Sequence, residues 1–355
     1  MKLVATDPES RVDIYQLTDD SRPADNIYGE QPYSDPASQH IAVRFYADGV
    51  RDGELAILDL ESGELRTAID ESPRFPAFHP WSEYLYCQQA VGGETILRRW
   101  RYDTLERDDI LTLPRDVGSL SYGTVSPDHA LYAVSIVRPD ESRCVMLFDL
   151  ASGENRIIAE STGRYHFKHE QFSRDGTNRL LIQANVIPEV KEVHLGWFDI
   201  SDEGMTRFAA DQPHTLRPTG HESWIGDTDR IFFSTAWSGE EHETNVYDVG
   251  VGESKPKPVP ADGHRFGHVS ASSCGRYWIA DATGEDGVPI YAGAFDGRVR
   301  RLLVSETVDD GNQWSHTHPY LTADNRWLIF TSSRDGLPQV YGARVPSDFW
   351  ESLVD

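Results

Sequence analysis

Residues 318–333 read HPYLTADNRWLIFTSS: a short extended stretch, a polar turn, then an apolar stretch rich in β-branched and aromatic residues. That strand–turn–strand order recurs six more times. The matching segments are QPYSDPASQHIAVRFY from Gln31, PAFHPWSEYLYCQQ from Pro76, YGTVSPDHALYAVSIV from Tyr122, HEQFSRDGTNRLLIQA from His169, HESWIGDTDRIFFSTA from His221 and HVSASSCGRYWIADA from His268. Their starts lie 45, 46, 47, 52, 47 and 50 residues apart. Several are followed by a second strand pair about a tight turn, as in LAILDLESGELRTAI and VMLFDLASGENRIIA, where S-G-E supplies the turn. Four short strands per unit of roughly 45 residues is the pattern of a β-propeller blade. Seven units use nearly all of the 355 residues. The expectation is an all-β, seven-bladed β-propeller, a single domain over residues 1–355. RVDIYQLT, residues 11–18, is expected to supply the outer strand of the last blade. Both chain termini would then close that blade and leave no free edge. No long stretch carries a helical period.

Composition narrows the function classes. Hydrophobic residues make up 39% of the chain, enough for a real core. The first residues hold no apolar signal region, and no window approaches the roughly 20 apolar residues of a membrane span, so a cytoplasmic protein is expected. Cys87, Cys144 and Cys274 are far apart and odd in number, which reads as buried free thiols. The net charge is −25, and only five of the 33 basic residues are lysine. So acidic a surface argues against nucleic acid and anionic membranes as partners. An anionic substrate would require the protein to invert its own field locally. Nothing in the sequence fixes the oligomeric state.

The repeat also serves as a ruler. In a propeller the strand before the polar turn is the innermost, so equivalent positions form a ring at one depth. Six residues before the turn residues Asp175, Asp227, Cys274 and Asp324 stand His169, His221, His268 and His318. The chain has only 13 histidines, so four in one column, from four consecutive repeats, is unlikely to be chance. Gln313 and His316 lie just before His318, and strand alternation can aim His316 and His318 to one side. Up to five imidazoles and an amide oxygen could therefore converge on one point. Imidazoles suit divalent transition metals and an amide oxygen suits harder ones such as Mn²⁺. Neutral ligands leave a metal its full charge, which is the right construction for holding an anion. Histidines hydrogen-bonded to one another and to water in a wet channel are the bland alternative.

The stretches QWSHTHPYLTADNRWLIFTSSRDGLPQVYGA, NIYGEQPYSDPASQHIAVRFY, HEQFSRDG, GHESW and HVSASSCGRYWIAD together resemble the oligogalacturonate lyases, a family of seven-bladed propellers, in the same order along most of the chain. The resemblance implies β-elimination of short pectin-derived oligogalacturonides with a divalent metal, usually manganese. It also implies metal ligation by His268, Gln313, His316 and His318, a general base at His221, and a place near the sugar for His169. One departure stands out. The family's substrate-facing arginine should fall within KEVHLGWFDI, residues 191–200, and no arginine is there. Lys191, His194 or Arg217 could substitute for it, and the sugar could be another uronate.

Residue chemistry agrees with such a lyase. Removing the C5 proton of a uronate builds charge beside a carboxylate, so a dication acting as a Lewis acid is needed. A neutral imidazole can take the proton near neutral pH. Lys191, Arg217 and Arg265 are candidates for a second basic group. Trp224 and Trp314 could stack on sugar rings, although packing between blades is an equal reading. No G-x-S-x-G elbow supports an esterase or peptidase. A non-enzymatic propeller that presents a binding surface is the alternative from another class.

Overall fold

The computed structural model describes residues 1–19, 21–46, 53–69, 73–115, 117–201, 204–237, 243–282, 284–308 and 315–354, with the side chains of 73 and 74 left aside. Seven antiparallel sheets follow one another along the chain, giving a seven-bladed β-propeller. The last blade is the exception in composition: Tyr320–Leu321, Trp327–Ser332 and Gln339–Arg344 come from the C-terminal end, and Asp13–Gln16 and Lys2–Thr6 from the N-terminal end. Asp13–Gln16 pairs with Gln339–Arg344 in register Asp13↔Arg344 to Gln16↔Tyr341. Both termini thus close the ring, and Lys2–Thr6 adds a fifth, outermost strand beyond the expected one. Apart from a five-residue helix, Ser347–Glu351, the described residues hold no helix. None is therefore long and apolar enough to cross a membrane.

The turn chemistry explains why the repeat is so regular. Asp59 Oδ1 accepts the backbone N–H of Glu61 at 2.9 Å and of Ser62 at 2.7 Å. Asp149 does the same for Ala151 and Ser152 in blade 3, and Gly63 and Gly153 both take φ +74° to finish the turn. After the innermost strands a second clamp recurs: Asp128, Asp175 and Asp324 accept from the backbone N–H two residues on. These three inner strands are thereby pinned at their turn ends, so residues a fixed number of positions upstream reach the same depth.

The core lies between blades, where inward faces of neighbouring sheets interlock. Val12 and Ile14 of the N-terminal strand pack with Leu328, Phe330, Tyr341 and Ala343 of the last blade and Ile279 of the sixth. Cys87 and Cys144 are buried free thiols, as expected, whereas Cys274 is exposed in its turn.

Closure by the N-terminal strand should be visible in stability. Ile14 is 2% exposed, so Ile14→Ala is expected to cost about 2–4 kcal/mol in urea unfolding. Leu3→Ala, on the outermost strand and 53% exposed, should stay within about 0.5 kcal/mol of the wild type.

Candidate metal and substrate centre

The column of histidines sits where the inner strands are irregular. Ladder register shifts between Lys168 and Gln171, between Pro218 and Glu222, and between Phe266 and Val269. These intervals contain His169, His221 and His268, so each histidine lies in a bulge. A bulge bends the strand and re-aims the side chain, here out of the ladder. His169 and His318 also adopt left-handed backbone, φ +56° and +41°, a conformation that costs energy outside glycine.

Ring nitrogens of His268, His316 and His318 all lie within 4.8 Å of one another. His221 joins them, its ring centroid 4.3 Å from that of His268. His169 stands apart and connects through Tyr28: its Nε2 is 3.2 Å from the Tyr28 hydroxyl, and the Tyr28 ring is 4.7 Å from that of His318. Of five expected imidazoles, three therefore form the compact set, with His221 beside it and His169 farther along. Gln313 and Trp314 lie outside the described residues.

Carboxylates orient the rings. His268 Nδ1 is 2.7 Å from Asp281 Oδ2, and its backbone N–H donates to Asp281 Oδ1 at 2.8 Å. Thr317 donates its hydroxyl to the same carboxylate. Burial alone would raise the Asp281 carboxyl, but electrostatic attraction to the His268 ring N–H and the hydrogen bonds from His268 and Thr317 hold it down to about 2. His221 Nδ1 is 2.6 Å from Glu30 Oε1. A carboxylate only accepts, so both Nδ1 atoms carry the proton, which makes Nε2 the accepting nitrogen of each ring. Against burial, His221, His268 and His169 hold Glu30 below the ordinary carboxylate range. Glu222 lies 3.4 Å from His169 Nδ1, and with Glu30 and Glu170 it raises the pKa of His169 against desolvation.

His318 is different. It is 1% exposed, and neither ring nitrogen has a hydrogen-bond partner among the described residues. Burial first, then the neighbouring imidazoles His268, His316 and His221, push its pKa well below the ordinary value, so the ring is neutral. Its backbone is gripped from blade 1: Asn26 Nδ2 donates to His318 O at 2.6 Å. Gly29 lies against the same peptide, where a Cβ would come within 2.5 Å of the His318 carbonyl carbon. Two unpartnered nitrogens on a neutral, fully buried ring, facing two further imidazoles, fit a divalent transition metal.

The cluster opens into a cavity of about 830 Å³ whose wall includes Tyr28, Lys168, Arg265 and the four histidines 169, 221, 268 and 316. Arg265 is thus where the sequence anticipated a cation. Lys191 and Arg217 are not in that wall. Lys191 is exposed and pairs with Glu189 at 2.5 Å, and Arg217 reaches the Val190 carbonyl at 3.4 Å. His194, too, is outside the wall, held by Asp211 at 2.5 Å. Trp224 is a core residue, 6% exposed, packed on Phe208 and donating to Gln171 O at 2.9 Å. Sequence reasoning did not single out Tyr28, Glu30, Asp281 or Lys168. Glu30 and Tyr28 lie in NIYGEQ, a stretch noticed only for its likeness.

Fold and cluster together define a seven-bladed propeller with a histidine centre at one channel mouth. Solved structures similar to this chain include those of oligogalacturonate lyases. One, from Vibrio parahaemolyticus, superposes with a TM-score of 0.78 at 16% identity over 98% of each chain. Another, described as oligogalacturonate lyase in complex with manganese, gives 0.77 at 18% identity over 99% of this chain and 98% of that one. In sequence, a 45-residue stretch is 42% identical to the oligogalacturonide lyase of Pectobacterium atrosepticum. It spans 13% of this chain and 12% of that protein. No protein-family profile matches the chain.

Titration calorimetry with Mn²⁺ is expected to show one binding event. Asp281→Asn, which removes the acceptor that orients His268, should weaken it about 10- to 100-fold. Gly29→Ala should abolish it by displacing the His318 backbone.

Proposed function

We propose that this protein is a metal-dependent lyase that cleaves short uronate oligosaccharides, galacturonides first among them, by β-elimination. The observation that carries the reading is the buried, unpartnered His318 beside His268 and His316, next to a second, carboxylate-oriented imidazole, His221. The likeness to oligogalacturonate lyases, one of them a manganese complex, points the same way. His268, His316, His318 and Gln313 would hold the metal. When bound, the metal supplies Lewis acidity toward the uronate carboxylate, which makes the C5 proton easier to remove.

His221 is the proposed base. Its Nε2 lone pair takes the C5 proton, the C–H electron pair becomes the C4–C5 double bond, and the C4–O bond breaks with its electron pair leaving on the oxygen of the departing sugar, which takes a proton from water. Glu30, bound at Nδ1, keeps the ring in the tautomer that accepts at Nε2 and stabilises the imidazolium that forms. Tyr28 and His169 would position the sugar, and Trp314 would offer it a ring. Arg265, which lines the cavity, would supply the positive charge earlier expected of Lys191 and Arg217. Carboxylates near the centre are buried against imidazoles, so the site need not share the repulsive field of a −25 protein. The proposed setting is the cytoplasm.

Manganese-loaded protein mixed with digalacturonate and trigalacturonate should raise absorbance near ~235 nm as the proton is abstracted. His221→Ala should lower kcat by about 10²–10⁴-fold with Mn²⁺ affinity kept, and EDTA should remove activity reversibly. No absorbance rise with any oligouronide would end the lyase reading. It would favour a non-enzymatic propeller.

A further inference from the structure

A second cavity, about 430 Å³, opens between blades 3 and 4. Tyr28, Lys168 and His169 belong to its wall and to that of the histidine cavity, so the two are contiguous. Its sides differ in chemistry. One is aromatic: Tyr122 stacks on Phe78 at 5.4 Å and meets Phe75 at 5.0 Å. The other carries Arg143, His166 and Lys168. His166 and Lys168 alternate on one strand, Tyr165–Phe172, and so share a face.

The cations are conspicuous for lacking counter-ions. Many arginines among the described residues sit in ion pairs, as Arg44 does with Asp25 and Arg98 with Asp109. Among the described residues, no carboxylate pairs with Arg143 or Lys168. Arg143 donates only to the Glu141 carbonyl at 2.9 Å, and its buried Nε has no partner. Proximity of the three is independently visible in His166, which burial, Lys168 and Arg143 push down to about 4. The single carboxylate in the wall, Glu170, has Oε1 occupied by the Ser121 hydroxyl at 2.8 Å and the Ser135 N–H at 2.7 Å. Two fixed cations, a neutral imidazole and an aromatic face match a ring that bears a carboxylate.

We infer that this cavity is a second anionic subsite, in which Arg143 and Lys168 bind the carboxylate of the uronate next to the one at the histidine centre, with Tyr122 and Phe75 against the ring. The inference rests on the uronide reading above and makes it more specific. Chain length and charge at the neighbouring residue become selected features. A substrate esterified at that residue loses the interaction.

Two measurements on the full-length, Mn²⁺-loaded protein test this separately from the lyase reading. Arg143→Gln/Lys168→Gln should lower kcat/KM for trigalacturonate about 10- to 100-fold, chiefly through KM, as expected for loss of charge-assisted hydrogen bonds. Mn²⁺ affinity should stay unchanged, and Lys168→Arg should keep most of the activity. If the wild type cleaves trigalacturonate and the double variant does so equally well, the subsite is refuted while the lyase stands. If the wild type cleaves nothing, calorimetry with digalacturonate decides: binding lost in the double variant supports the subsite, and equal binding, or none by the wild type, overturns it.

Discussion

A neutral imidazole buried with both nitrogens unpartnered is costly, because each polar atom has given up water for nothing. His318 is in that state, and the structure around it is arranged to keep it there. Its backbone takes a left-handed conformation, Asn26 from blade 1 holds its carbonyl, and Gly29 leaves the space that a side chain would fill. Asn26 in turn exchanges hydrogen bonds with Thr331 of the last blade. The ring closure by the termini and the placing of His318 are therefore one construction, since blade 1 meets blade 7 at this residue. A bound cation would relieve the cost, and the neighbouring imidazoles stand where they could share it.

Two of the inner carboxylates are engaged by imidazoles of the centre. Asp281 and Glu30 are spent on the Nδ1 protons of His268 and His221. Glu222 and Glu170 lie one residue after His221 and His169 and turn toward the preceding blade, where they meet His169 and Ser121. The His-Glu dipeptides of blades 4 and 5 thus do two jobs: the histidine faces the channel and the glutamate ties blade to blade. Lys168, Arg143 and Arg265 in the walls bring positive charge to the cavities, which an anionic sugar requires.

Much of this was legible because the fold is periodic. Aspartate clamps at residues 128, 175 and 324 fix where three of the inner strands end, and the blade repeat carries the count of six residues to the others. His316, two residues before His318, could be read from strand alternation alone. The candidates that the structure sets away from the histidine cavity lie outside that ruler. Lys191 and Arg217 were chosen for being near a missing arginine in the sequence, yet the loop carries Lys191 out to Glu189 and solvent. Trp224 lies three residues after His221, so it points away from the channel face and into the core between blades. Tyr28 and Glu30 come from an irregular segment before blade 1, which no repeat register predicts.

The sequence by itself determined the number of blades, the closure by both termini and the identity of the histidines at one depth, because all three follow from repeat length and local turn chemistry. Only the tertiary structure decided which imidazoles meet, which carboxylate orients each, and where free cations line the cavities. Many of those are contacts between residues far apart in sequence, 292 positions for His318 and Asn26 and 191 for His221 and Glu30. They depend on bulges and loop paths that turn a side chain through space without leaving a period in the chain.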